Sequence, residues 1–359
     1  MPVTRGYINR VAVAVPEHEV HGNFVELADR LIPDRRSRIL FQRMEERSEI
    51  KRRWSCIEPA KAGRNESVDA DGFYTLGRFP TTAQRMLRYE AEAPKLAVKA
   101  VQRLDLGGRA HEITHLITTS CTGLSAPGVD LELIRQCGLS PHVERTVIGF
   151  MGCNAAINAL KLARHIVRST PDACVLVVSL ELCTLHFQDT DDIGKLLMFL
   201  LFGDGCAAAL ISAEPQGFAL DGFHAELVQQ AADQITWTIR DFGFDMVLSG
   251  LVPATIASAL RAASTRILSD APADSFDLWA VHPGGRTVLD AVEQAFNLDA
   301  SALAASRAVL RDYGNMSSPT VLFVLESLMR EKQNPGARGC AMAFGPGLTA
   351  ETMLFSVAA

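Results

Sequence analysis

Two polar residues stand at matching places in two halves of the chain, and this duplication constrains the fold more than any other feature. In the first half a buried-strand run, His115 to Ser120, ends at Cys121, and Cys153 follows 32 residues later. In the second half Leu278-Trp-Ala-Val ends at His282, and Asn315 follows 33 residues later. Each interval leads through a helical stretch, from Asn154 to Val167 or within NMSSPTVLFVLESLMR, into a buried strand. Those strands are Cys174 to Leu180 and Cys340 to Phe344, and Thr146 to Gly152 reads as another short one ending at Cys153. The pattern predicts a duplicated α/β unit. It puts Cys153 and Asn315 at equivalent helix N-termini, facing each other across a pseudo-twofold axis. Residues 213–222, AEPQGFALDG, contain Pro and Gly and mark the junction, so the halves are 1–213 and 214–359.

The remaining segments are less regular. Tyr7 to Val15 reads as a strand, and Arg30 to Arg53 as a charged, arginine-dense helical segment. Residues 60–85 are polar and contain Gly, which predicts a surface loop, and Ala91 to Leu104 reads as an amphipathic helix. An apolar fraction of 48% over 359 residues suffices for a large core.

Charge and cysteine usage exclude several functions. A net charge of −6 gives no nucleic-acid footprint. The longest apolar run, Leu196 to Phe202, is far short of the roughly 20 residues of a membrane span. The Val/Ala run ended by Pro16 is too short for a signal-peptide core, which predicts a cytoplasmic protein. The eight cysteines form no C-x-x-C pair, so no metal site is expected.

Three of the repeat's residues have reactive chemistry. Cys153 lies between a strand end and a helix start, where partial positive charge and free N–H groups stabilise a thiolate. A thiolate attacks a thioester carbonyl, and the same N–H groups can hold the oxyanion. His282 precedes Pro283-Gly284-Gly285, whose glycines let a ligand approach the backbone. A neutral His there can take the thiol proton or donate to an oxyanion. Asn315, in Tyr313-Gly-Asn-Met-Ser-Ser, can donate through its amide, and as a helix N-cap it also has a structural explanation. Structural readings exist for Cys153 and His282 too, and only the three loops together are specific.

The segments Gly149-Phe-Met-Gly-Cys153, Leu201-Phe-Gly-Asp-Gly205, Trp279-Ala-Val-His-Pro-Gly-Gly285, Tyr313-Gly-Asn-Met-Ser-Ser318 and Phe344-Gly-Pro-Gly-Leu348 carry a resemblance. Together with Phe41-Gln-Arg-Met44 they are similar to those of type III polyketide synthases, the chalcone and stilbene synthase family, in its bacterial branch. The resemblance implies a thiolase fold, a five-layered αβαβα arrangement of two similar halves, working as a homodimer. It implies that a starter acyl-CoA loads onto Cys153. His282 and Asn315 then stabilise the enolate formed when malonyl-CoA loses CO2, and iterative extension ends in cyclisation to an aromatic or pyrone product. No separate cofactor is implied, since coenzyme A arrives with the substrates.

The resemblance also implies roles for other positions. Phe202 and Phe244 match two gatekeeper phenylalanines between the coenzyme A tunnel and the cavity. Arg43 and Arg47 match basic residues on the coenzyme A phosphates, beside Gly284 and Gly285. A third basic position is Leu40, which leaves Arg38 as a substitute. Cys121, Cys183 and His186 stand where plant members carry threonine, and Ile235 where they carry a cavity-shaping glycine. Arg286 and Thr287 depart from plant Pro and Ala. Cys121, Glu181 and Ser317 match a hydrogen-bonded cyclisation switch, for which a thiol is a poor donor. A single-extension ketoacyl synthase of the fatty-acid type shares the Cys-His-Asn set and is the alternative. A degradative thiolase needs a second cysteine near the last Gly-rich loop, where none stands. A non-catalytic acyl-binding protein would have had no reason to keep all three residues.

Overall fold

The computed structural model describes residues 4–60 and 67–359. The strands in chain order are β1 (Tyr7–Ala14), β2 (His18–Glu19), β3 (Trp54–Ser55), β4 (His115–Ser120), β5 (Glu144–Gly149), β6 (Val175–Leu182) and β7 (Asp204–Ser212). They continue as β8 (Phe218–Leu227), β9 (Ile235–Arg240), β10 (Gly243–Leu248), β11 (Leu278–Val281), β12 (Arg338–Gly345) and β13 (Thr349–Val357). The helices are α1 (His21–Leu31), α2 (Arg35–Ser48), α3 (Thr82–Leu104), α4 (Val129–Cys137) and α5 (Ala155–Ser169), then α6 (Ile193–Leu201), α7 (Val252–Ile267), α8 (Arg286–Phe296), α9 (Ala304–Tyr313) and α10 (Thr320–Arg330).

Nine strands run in the order β11-β12-β13-β8-β1-β7-β6-β4-β5 among the described residues. Read outward from the β8/β1 centre, the order repeats itself. β7 and β13 flank the centre, then β6 and β12, then β4 and β11. Among the described residues β5 alone of this sheet has no counterpart strand. The link between the halves is short, with only Tyr7 and Ile8 of β1 paired to β8.

Side-chain alternation turns this sheet into layers. Leu176, Val178 and Leu180 of β6 pack with Ala93, Ala97 and Val101 of α3. Val175 and Val177 face the other way, onto Ala156, Leu160 and Ala163 of α5. In the second half Ala341 and Ala343 of β12 join that same central cluster, with Val321 and Leu325 of α10. Cys340 and Met342 face outward onto Ile256, Leu260, Leu289 and Val292 of α7 and α8. The layers are therefore helix, half-sheet, α5 with α10, half-sheet, helix. β6 and most of β7 are buried on both faces, which is why their sequences are nearly continuous apolar runs.

Several sequence expectations shift. The Arg30–Arg53 segment is two helices broken at Pro33, and α2 starts with Asp34 accepting from the Ser37 N–H. Residues 60–85 include 61–66, outside the described residues, and the first turn of α3. α3 begins nine residues before Ala91 because Thr81 and Gln84 form a reciprocal capping box. β5 ends at Gly149 and not at Gly152. Of the junction, residues 218–222 are already β8. α10 starts at Thr320 with Pro319 at its N-cap position, so Asn315 lies five residues ahead of the helix and does not cap it. Among the described residues no helix is long and apolar enough to cross a membrane.

Candidate active site

Cys153 sits in a single tight turn, Gly152–Asn154, that leads into α5. Gly152 has φ +76°, and a Cβ there would lie 2.1 Å from Cδ of Pro346. Only glycine therefore lets the loop after β12 close over the turn. The Gly152 N–H donates to Cys121 Sγ at 3.0 Å, so Cys121 braces the turn that presents Cys153. The Cys153 thiol is buried and donates to Ser317 Oγ at 3.5 Å. Burial pushes it up to about 12, against hydrogen bonds from Ser317, Asn315 and its own N–H that favour the thiolate.

His282 follows β11 and extends the sheet, its N–H donating to Met342 O at 2.8 Å. Its ring is fully buried, and neither ring nitrogen has a hydrogen-bond partner among the described residues. Burial holds it down at about 3, so the imidazole is neutral at physiological pH. A buried pair of free ring nitrogens is costly in a purely structural histidine. It suits one that awaits a substrate.

Asn315 is placed by the chain between α9 and α10. Its Oδ1 accepts the Ser317 N–H at 2.7 Å, which orients the amide, and Nδ2 points toward Gly284 O at 3.3 Å. Ser317 has φ +58°, a strained value for serine, and it turns the hydroxyl toward Cys153.

Cys153, His282, Asn315, Ser317, Gly284 and Gly285 all line one largely apolar cavity of about 620 Å³. Its mouth carries Met44, Arg47, Arg286 and Thr287. Arg286 donates to Arg47 O at 2.7 Å and fastens α2 to the start of α8. Arg43 is exposed on α2 and does not line the cavity, and Leu40 is exposed beside it. A second cavity of about 640 Å³ lies toward α1 and the Tyr74 loop, and Cys183, Phe199 and Phe202 line both.

Glu181 is fully buried behind Cys121 and Thr122, which line the reaction cavity. Its carboxyl accepts from Ser318 Oγ (2.6 Å), Thr122 Oγ (2.7 Å) and the Cys121 N–H (2.9 Å). Burial raises it to about 7 in spite of these donors. The expected Cys121–Glu181–Ser317 relay is therefore not the one formed. Cys121 reaches the carboxyl through its backbone N–H, and Ser318 takes the place of Ser317, whose positive φ carries it to Cys153.

Phe244 is also corrected. It is buried away from the cavity, stacked on His186 with ring centroids 4.2 Å apart. His186 is locked by the Phe244 N–H on Nδ1 (3.0 Å) and by Thr122 O near Nε2 (2.7 Å). Burial holds His186 down at about 3, so it is a neutral wall residue. Ile235 lines the cavity, joined by Trp237, Met246 and Leu248 from the same face of the β9–β10 hairpin. Trp237, Met246 and Leu248 are not among the residues expected from the sequence. The alternation in ITWTIR and GFDMVL around Asp241-Phe242 was the signal for them. No group of three or more potential metal ligands occurs among the described residues.

Comparisons with known proteins cover nearly all of the chain. The family description "Chalcone and stilbene synthases, N-terminal domain" matches residues 12–215, and its C-terminal counterpart matches residues 220–358. The alpha-pyrone synthesis polyketide synthase-like Pks18 of Mycobacterium tuberculosis is 35% identical over 99% of this chain and 92% of its own. Bisdemethoxycurcumin synthase of Oryza sativa subsp. japonica is 34% identical over 88% of this chain and 82% of its own. Among solved structures, 1,3,6,8-tetrahydroxynaphthalene synthase from Streptomyces coelicolor aligns with TM-score 0.86 at 31% identity, covering 98% of this chain and 99% of that one. PKS-I from the brown alga Ectocarpus siliculosus aligns with TM-score 0.88 at 30% identity over 99% of each chain. The fold these structures share is the thiolase fold.

Proposed function

The chain belongs to the chalcone and stilbene synthase family and is a type III polyketide synthase, and we propose that Cys153, His282 and Asn315 carry its chemistry. The observation that carries this reading is the fully buried His282, with both ring nitrogens free of partners among the described residues, lining the same cavity as Cys153 and Asn315.

The starter acyl-CoA enters past Arg47 and Arg286, with Arg43 and Arg47 on its phosphates and Gly284 and Gly285 allowing close approach. His282 takes the Cys153 proton as the sulfur attacks the thioester carbonyl. The new C–S bond forms, the coenzyme A thiolate leaves, and the imidazolium returns a proton to it. Malonyl-CoA then binds and loses CO2. The electron pair passes into a thioester enolate whose oxygen accepts from His282 and from Asn315 Nδ2. The enolate carbon attacks the acyl carbonyl, forms the C–C bond and releases the Cys153 thiolate. Repetition builds the polyketide. Apolar rings such as Phe202 favour loss of the charged carboxylate by excluding water. No cofactor beyond the coenzyme A of the substrates takes part.

The starter is read from the joint between the two cavities. Cys183, Phe199 and Phe202 leave them adjacent, so an acyl chain held on Cys153 can pass Cys183 into the second cavity. An alkyl starter fits this better than a short starter, and closure to a pyrone is the outcome that the name of the Mycobacterium relative, alpha-pyrone synthesis, points to. The test is incubation with malonyl-CoA and a panel of acetyl, long-chain and aromatic acyl-CoAs, with products identified by mass. Preference for long chains supports the reading, and use of acetyl or malonyl starters alone refutes it.

The same proposal makes the enzyme a cytoplasmic homodimer of chains whose halves meet at 213/214. β5 supports the dimer. It is an edge strand with Val147 exposed, flanked by exposed Leu124 and Met151, and such an edge is ordinarily covered.

A further inference from the structure

Arg85, on the first turns of α3, lies outside both cavities yet is fully buried. No carboxylate pairs with it among the described residues. Nε donates to Pro80 O at 2.9 Å, and Nη1 reaches Leu185 O (2.6 Å), Phe187 O (2.7 Å) and the Tyr74 hydroxyl (3.3 Å). Nη2 has no partner among the described residues, and the guanidinium lies over the Tyr74 ring, 5.4 Å from its centroid. A buried cation without a counter-charge is costly. Its bonds say what it holds.

Two of those carbonyls flank His186, in the tight turn Cys183–His186 that ends β6. The Tyr74 hydroxyl donates to a third carbonyl of the turn, Thr184 O, at 2.9 Å. The same guanidinium packs against the β9–β10 hairpin. Gly243 has φ +107°, and a Cβ there would lie 3.1 Å from Arg85 Cζ. The next residue, Phe244, donates its N–H to His186 and stacks on its ring, with Trp237 edge-on at 5.4 Å. One buried side chain thus joins the turn bearing Cys183 and His186 to the hairpin bearing Trp237. These three residues form one wall of the reaction cavity.

We propose that Arg85 is a positioning residue that sets the volume of the reaction cavity, and through it the number of extension steps before release. It touches no substrate and takes no part in loading Cys153. Loading is read from the Cys153 reading above, whereas the product ratio is measured whether or not the adduct sits there, so the two can fail separately.

The test uses the full-length enzyme with Arg85→Met and Arg85→Lys, its accepted starter and malonyl-CoA. Mass spectrometry reads starter loading and, separately, the ratio of the principal product to shorter, early-released products. A wall displaced by a fraction of an ångström should lower that ratio by about tenfold in Arg85→Met, with loading unchanged. Arg85→Lys, which keeps a cation for Leu185 O and Phe187 O, should recover part of it. A folded Arg85→Met enzyme with the wild-type ratio overturns the proposal. So does a loss of loading in proportion to all products, the outcome of a merely structural role. If Arg85→Met does not fold, Arg85→Lys alone, which loses the Nε bond to Pro80 O and the planar fork, is read in the same way. A lowered ratio supports the proposal, and an unchanged ratio overturns it.

Discussion

Phe202 and Asn315 are locked side by side in a short parallel bridge. The Asn315 N–H donates to Leu201 O at 2.8 Å, and the Gly203 N–H donates to Asn315 O at 3.0 Å. The consequence of this bridge is that the segment bearing Phe202, between the two cavities, and the segment bearing the Asn315 amide are held together by paired backbone.

Replacing Asn315 by Ala removes an amide needed only when charge develops on the enolate oxygen. Malonyl-CoA decarboxylation should fall by about 10²-fold, with starter loading little changed. Release of CO2 and mass of the acyl-enzyme measure the two steps. Equal loss of both contradicts the assigned role.

Cys183 stands at the joint between the cavities. Cys183→Leu adds bulk there. It should lower kcat/KM for a long-chain starter by about tenfold or more while sparing acetyl-CoA, since one or two methylene groups in a filled pocket discriminate by that order. A uniform loss for all starters counts against passage through this joint.

Glu181 makes stability depend on pH. Burial raises its carboxyl from 4.5 to about 7 in the folded chain. Between those values the unfolded chain binds fewer protons than the folded one. Its contribution to stability is therefore whole below pH 4.5, falls as pH rises toward 7, and is flat above. Glu181→Gln should reduce the drop between pH 4.5 and 8 by about 3 kcal/mol, as read from urea unfolding at each pH. An unchanged drop would mean that the carboxyl titrates normally.

The exposed edge of β5 gives a prediction on assembly. Val147→Arg should convert the dimer to a monomer in analytical ultracentrifugation, because a charge on an edge strand blocks pairing with another edge. A wild-type protein that sediments as a monomer, or a variant that stays dimeric, removes β5 from the interface.

Elements with strong local signals were legible in the sequence. β4, β11 and α5 stand within one or two residues of their expected places, because apolar runs and helical periodicity need no tertiary information. The early start of α3 was legible too, in Thr81 and Gln84, but the polar loop around it hid the signal. Asn315 looked like an N-cap because Asn caps well. Its actual pairing with Phe202 joins residues over a hundred positions apart, which no local pattern reports. The exchange of Ser318 for Ser317 at Glu181 rests on one positive φ in the backbone. Phe244 was misplaced for a similar reason, since both Phe244 and Met246 face the same side of β10 and only packing decides which one reaches the cavity.

The central claim is that Cys153 is the acylated nucleophile. Burial pushes the Cys121 and Cys183 thiols up as it does that of Cys153, but neither receives the hydrogen bonds from Ser317 and Asn315 that favour the Cys153 thiolate, so these neighbours should stay unreactive. The direct measurement is peptide mass spectrometry of the enzyme after brief incubation with an accepted starter acyl-CoA, beside Cys153→Ala. An acyl adduct confined to Cys153, and lost in the folded Cys153→Ala variant, is the predicted result. An adduct on Cys121 or Cys183, or one that survives in Cys153→Ala, contradicts the account.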